Sequence, residues 1–156
     1  MKRLMILILA LASAVTVSAQ TDRKEVRAGN KAFRKGDFRK SEIDYRKAVL
    51  KDSLSVAAQY NLASSLYRQD DYEGAQKALS SIAETVSAVE TVGTKADFYF
   101  NQGDVALAQK DYASAVKSFR QSLLLRPDDM DAKENYIYAK EMLRQSQNNQ
   151  SGQDGD

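Results

Sequence analysis

From about residue 22 onward, apolar and small residues recur every three or four positions, a spacing that gives a helix one apolar face. The stretch "KDYASAVKSFRQSL", residues 110–123, sets an aromatic at Tyr112, a small residue at Ala115 and another aromatic at Phe119. The same beat runs through Phe38, Ser41 and Tyr45, and again through Tyr72, Ala75 and Leu79. Nine positions before each opening aromatic stands a small residue, Gly29, Ala63 or Gly103. The polar runs "RKGD", "RQDD" and "AQKD" fall between the two halves and read as turns. The pattern predicts three helical hairpins, with the small residues where two helices cross too closely for a larger side chain.

The period follows from the aligned positions. Ser41 to Ala75 is 34 residues and Ala75 to Ala115 is 40, so the third unit follows an insertion of about six residues. The insertion is expected in "AETVSAVETVGTKAD", residues 83–97, with Gly93 breaking the helix there. Units are expected at about 22–55, 56–89 and 96–129, with Pro127 closing the third. A fourth segment, about 130–144, carries Tyr136, Ala139 and Leu143 at helical spacing, started by one of Asp128, Asp129 or Asp131 as a cap. It is expected to cover the open face of the last unit, as a solenoid of few repeats requires. The final polar stretch "QSQNNQSGQDGD", residues 145–156, is expected to be disordered.

The start of the chain reads differently. "MKRLMILILALASAVTVSAQ" has a basic opening, an apolar run and small residues at Val17-Ser18-Ala19, which predicts a signal peptide over 1–19 cleaved before Gln20. An uncleaved anchor is the alternative, because the run is almost long enough to cross a bilayer. Either way the expectation is an exported protein. The chain has no Cys, which closes the lipoprotein route, and no His. Zinc sites of the usual ligands, Cys nucleophiles and His general bases are therefore excluded. No catalytic residue, metal or cofactor is expected; Asp128, Asp129 and Asp131 read as helix-start residues rather than a metal site.

Charge narrows the partners. After the leader the chain carries 21 basic and 21 acidic residues, a balance that speaks against nucleic acid. The charge is nonetheless split: residues 22–55 carry 11 Lys/Arg and 6 Asp/Glu, and residues 128–156 carry 3 and 7. Such a bipolar chain could steer partners or self-associate head to tail.

A 34-residue period of paired helices resembles the tetratricopeptide repeat (TPR) family. The resemblance implies an all-α solenoid of three helix-turn-helix repeats with a C-terminal capping helix. It also implies a concave groove lined by the first helix of each unit. On that geometry the inward positions are Arg23, Val26, Asn30, Phe33 and Arg34, then Tyr60, Asn61, Ser64, Tyr67 and Arg68, then Phe100, Asn101, Asp104 and Leu107. Tyr60 and Tyr67 suit binding and packing equally, while Phe33 and Phe100 lean to packing. A clamp for a carboxylate terminus, one use of such grooves, is not expected, because Val26, Tyr60 and Phe100 stand where a Lys would be needed.

At a finer level, "RAGNKAFRKGDFRKSEIDYRKAV", "AAQYNLASSLYRQDDYEGA" and "RPDDMDAKENYIYAKEML", with the leader and the polar tail, are similar to the BatC-type proteins of Bat aerotolerance operons. That similarity implies a non-enzymatic periplasmic scaffold. Its implied partners are membrane-anchored von Willebrand factor A domain proteins linked to a MoxR-type AAA ATPase, in tolerance of oxygen or envelope stress. The alternative is a general helper in outer-membrane or secretion-complex assembly.

Overall fold

The computed structural model describes residues 22–88 and 91–151. The expected leader, 1–19, lies outside the described residues. Among the described residues eight helices follow in order: α1 Arg23–Arg34, α2 Phe38–Lys51, α3 Val56–Tyr67, α4 Tyr72–Ser80, α5 Ala83–Ala88, α6 Val92–Ala108, α7 Tyr112–Leu125 and α8 Met130–Ser151. Helices α1/α2, α3/α4 and α6/α7 pack as hairpins; α2 packs on α3, α4 on α6, and α7 on α8. This is the paired-helix solenoid that the period predicts, and no strand occurs among the described residues.

The hairpins share one local design. Each second helix begins at an Asp whose carboxylate accepts an N–H of the first turn: Asp37 from Lys40 at 3.0 Å, Asp71 from Gly74 at 2.9 Å and Asp111 from Ser114 at 3.1 Å. Such caps satisfy donors that the helix itself leaves open. The residue just before the cap is Gly36 in the first turn, at φ 77°. Asp70 and Lys110 take the same left-handed conformation in the other two turns, at φ 61° and 62°. Three unlike residues thus make one turn, and the downstream cap fixes its end.

Across each hairpin a small residue faces a large one. A Cβ added at Gly29 would lie 2.4 Å from the Tyr45 ring, and one added at Gly103 would lie 2.6 Å from the Phe119 ring. In the middle unit the same positions hold Ala63 and Leu79, both buried. The unit that carries the extra methyl therefore carries the smaller partner. Ser41 is fully buried, but its hydroxyl is satisfied by Phe38 O at 2.8 Å and Ser65 Oγ at 2.7 Å.

Three expectations change. The insertion is not an irregular break: it forms the short helix α5, and Gly93 lies inside α6, which starts at Val92 rather than near 96. One interior glycine costs a helix only about 1 kcal/mol, and Arg126 donates to Gly93 O at 3.3 Å and to Asp97 at 2.7 Å, tying the start of α6 to the end of α7. Ile82 is fully buried in the main core with Val86 of α5.

The polar tail is the third change. Helix α8 runs through residue 151 instead of ending at 144. No helix breaker occurs before Gly152, and Gln145 donates to Glu141 one turn back at 2.9 Å, so a helix started by packing simply continues. Its start agrees with the expectation: Asp129 accepts the Ala132 N–H at 3.0 Å. Residues 152–156 lie outside the described residues.

Candidate functional site

Helices α1, α3 and α6, the first of each hairpin, lie along one side of the solenoid, with α1 touching α3 and α6 touching α8. A cavity of about 100 Å³ opens on this side between the second and third units. Its walls are Phe33 from α1; Ala63, Ser64 and Tyr67 from α3, with Arg68 just beyond; Leu79 from α4; and Asn101, Asp104 and Val105 from α6. Leu79 and Val105 belong to the main core, so the floor is rigid and apolar while the rim is polar.

Aromatic stacking fixes the rim. Phe33 meets Phe38 edge to face at 5.2 Å, and the Arg68 guanidinium lies 4.6 Å from the Phe38 ring centre. Tyr67 packs against Tyr72 at 5.4 Å, and the Tyr72 hydroxyl donates to Asp70 at 2.6 Å. Ser64 donates to Tyr60 O of its own helix at 3.1 Å, leaving its oxygen as an acceptor.

Asp104 carries the negative charge of the cavity. It is partly buried, and Asn135 of α8 donates to its Oδ1 at 3.0 Å. Burial lifts its carboxyl to about 6, against the pull of that hydrogen bond and with a further push from the Asp131 charge. Burial likewise raises the phenols of Tyr60 and Tyr67, with Asp97 adding to the first and Asp104 to both.

Of the positions expected to face inward, Phe33, Ser64, Tyr67, Arg68, Asn101 and Asp104 come together in this cavity. The others stand elsewhere. Asn30 Oδ1 accepts from the Tyr45 hydroxyl at 2.7 Å and from Asn61 Nδ2 at 3.1 Å, so both amides hold α1, α2 and α3 together beside the cavity. Tyr60 packs on the main core. Phe100 packs edge to face on Phe119 at 5.8 Å, and Leu107 joins that same cluster. Arg23 and Arg34 are exposed, and Val26 is half-buried. Sequence reasoning missed Ala63, Leu79 and Val105, although Ala63 and Leu79 occupy the repeated small and large positions.

The arrangement can hold a side chain between apolar walls and offer it a carboxylate, an amide, hydroxyls and a guanidinium. Among the described residues there is no group of acidic side chains able to hold a metal, and no helix is long and apolar enough to cross a membrane.

Residues 54–127 match the sequence model of the tetratricopeptide repeat family. No curated protein matches the chain. Among solved structures, the first TPR domain of human RPAP3 is similar at 19% identity and a TM-score of 0.72, over 81% of this chain and 95% of that one. The first TPR of Spaghetti (RPAP3), bound to the HSP90 peptide SRMEEVD, is similar at 19% identity and 0.73, over 80% and 94%. MamA is similar at 22% identity and 0.69, over 86% of this chain and 75% of its own. At such identities the likeness shows the fold, which is that of a TPR helical solenoid.

Proposed function

We propose that this chain, which carries tetratricopeptide repeats, is a non-enzymatic scaffold that holds a segment of a partner protein in its concave groove. The observation that carries the reading is the cavity on the face of the first helices, with a core-anchored apolar floor and a polar rim of Ser64, Tyr67, Arg68, Asn101 and Asp104. A side chain of a bound segment would bury apolar area there, and the rim would fix its orientation. A fold neighbour, the Spaghetti domain, holds a peptide, which supports the same use here.

The wider setting rests on the layout of the sequence. A leader over 1–19 would export the chain, and the BatC-like arrangement of leader, repeats and polar tail favours a periplasmic role in a Bat-type aerotolerance or envelope-stress complex. The partners of that reading are membrane-anchored von Willebrand factor A domain proteins coupled to a MoxR-type ATPase.

The test is capture from an envelope extract by the tagged exported form, Gln20 to Asp156, followed by mass spectrometry. Recovery of von Willebrand factor A proteins, reduced at least several-fold by Tyr67→Ala with helicity unchanged, is the expected result. Recovery of outer-membrane or secretion components instead would keep the scaffold and remove the aerotolerance role. Capture indifferent to Tyr67→Ala would move the interface away from the groove.

A further inference from the structure

Asp104 is the single acidic residue among those that wall the cavity. Asn135, a neutral amide, donates to it at 3.0 Å, and among the described residues no Lys or Arg lies within ion-pair distance of it. Arg68 walls the same cavity but faces the Phe38 ring, 4.6 Å from its centre. Another acid, Asp131 of α8, acts on Asp104 and opposes its ionisation.

The next step follows from what an occupant does to water. A side chain entering the cavity strips solvent from Asp104. An apolar occupant leaves an uncompensated anion in a less polar site, which costs free energy. An acidic occupant adds a like charge to Asp104 and Asp131. A cation with an aliphatic stem satisfies both parts of the site, the stem lying along Phe33, Leu79 and Val105 and the charged head meeting the carboxylate.

We propose that the cavity is a recognition pocket for a basic side chain, Lys or Arg, carried by an extended segment of the partner protein. The inference rests on the groove reading above and deepens it: the partner segment is marked by a cation set between apolar residues.

Three nonapeptides blocked at both ends test it. They share an Ala/Ser background with a Leu on each side of the central residue, which is Lys, norleucine or Glu. Each is titrated into the ¹⁵N-labelled exported form, Gln20 to Asp156, and followed by amide shifts. The Lys peptide is expected to move the amides of Tyr67, Asn101 and Val105, and to bind about tenfold or more tighter than the norleucine peptide, in line with a charge-assisted hydrogen bond. Asp104→Asn, checked for fold by circular dichroism, should erase that difference; a persisting difference in the folded variant overturns the role of Asp104. The comparison of the three peptides on the unaltered chain stands even if the variant does not fold.

Equal binding of the Lys and norleucine peptides at these amides, or a preference for Glu, overturns the basic-residue inference and leaves the groove reading standing. If the Lys peptide moves only amides away from the cavity, or none of the three peptides moves any amide, the inference and the groove reading both fall.

Discussion

Asp104 shows how a single residue can oppose stability in favour of recognition. An unfolded Asp titrates near 3.9, whereas burial holds this carboxyl at about 6 in the folded chain. The folded state therefore binds its proton more tightly than the unfolded state does. The protonated form adds its full share of stability below about pH 4, and that share is lost as pH rises through 6. At pH 7 the ionised group costs at most about 3 kcal/mol, and about 1–2 kcal/mol once the open side of the cavity is allowed its water. Asp104→Asn should thus raise the unfolding free energy at pH 7 by about 1–2 kcal/mol, with the gain vanishing toward pH 4. Urea denaturation at the two pH values measures this; a variant less stable at pH 7 would show that the Asn135 hydrogen bond, not burial, governs the site. Asn30 presents the contrasting case. Its Oδ1 is already engaged by Tyr45 and Asn61, and this joins α1 to its neighbours.

Between helices, the deciding contacts are the small-to-large pairs at each hairpin crossing. Gly103 leaves no room for a Cβ, because the Phe119 ring edge would stand 2.6 Å from it. Gly103→Ala should cost about 1–3 kcal/mol by overpacking. The middle unit already contains the compensation, Ala63 with Leu79, so Phe119→Leu in the same chain should recover at least about 1 kcal/mol of coupling in a double-mutant cycle. Strict additivity of the two changes would show that the α6/α7 crossing relaxes by other means. These pairs and the turns were legible in the sequence because each recurs at a fixed offset and depends on neighbours within one hairpin. Helix α5 was not legible: a glycine ten residues after Ala83 reads as a breaker, and Arg126, 33 residues further on, is what holds Gly93 inside α6. The cavity was half legible for a similar reason. The inward faces of α1, α3 and α6 follow from the repeat geometry that the family resemblance implies, whereas the entry of Leu79 from α4 into the floor depends on how the second unit meets the third.

At the scale of the molecule, a solenoid of three hairpins has two open ends, and α8 closes one of them. The cluster formed by Ala106, Ala115 and Phe119 is completed by Ala139, with Tyr136 alongside, and Ala132 on the same helix is also fully buried. Past residue 144 the helix carries polar side chains only, and the Glu141–Arg144 and Glu141–Gln145 bonds lie on its exposed surface. Burial, not helix length, should therefore set the contribution of α8. A chain ending at Pro127 should lose roughly 2–4 kcal/mol, from the apolar area that Ala132, Tyr136 and Ala139 no longer cover, and should unfold less cooperatively, because the third hairpin is left without its neighbour. A chain ending at Arg144 should stay within about 0.5 kcal/mol of the whole, since the Gln145–Glu141 bond that it loses is exposed. Thermal and urea unfolding of the two truncations separate these outcomes. A large loss on removing residues 145–156 would mean that the polar end of α8, or the residues beyond it, packs on the chain, and would assign the acidic C-terminal part of the molecule a structural role besides its charge.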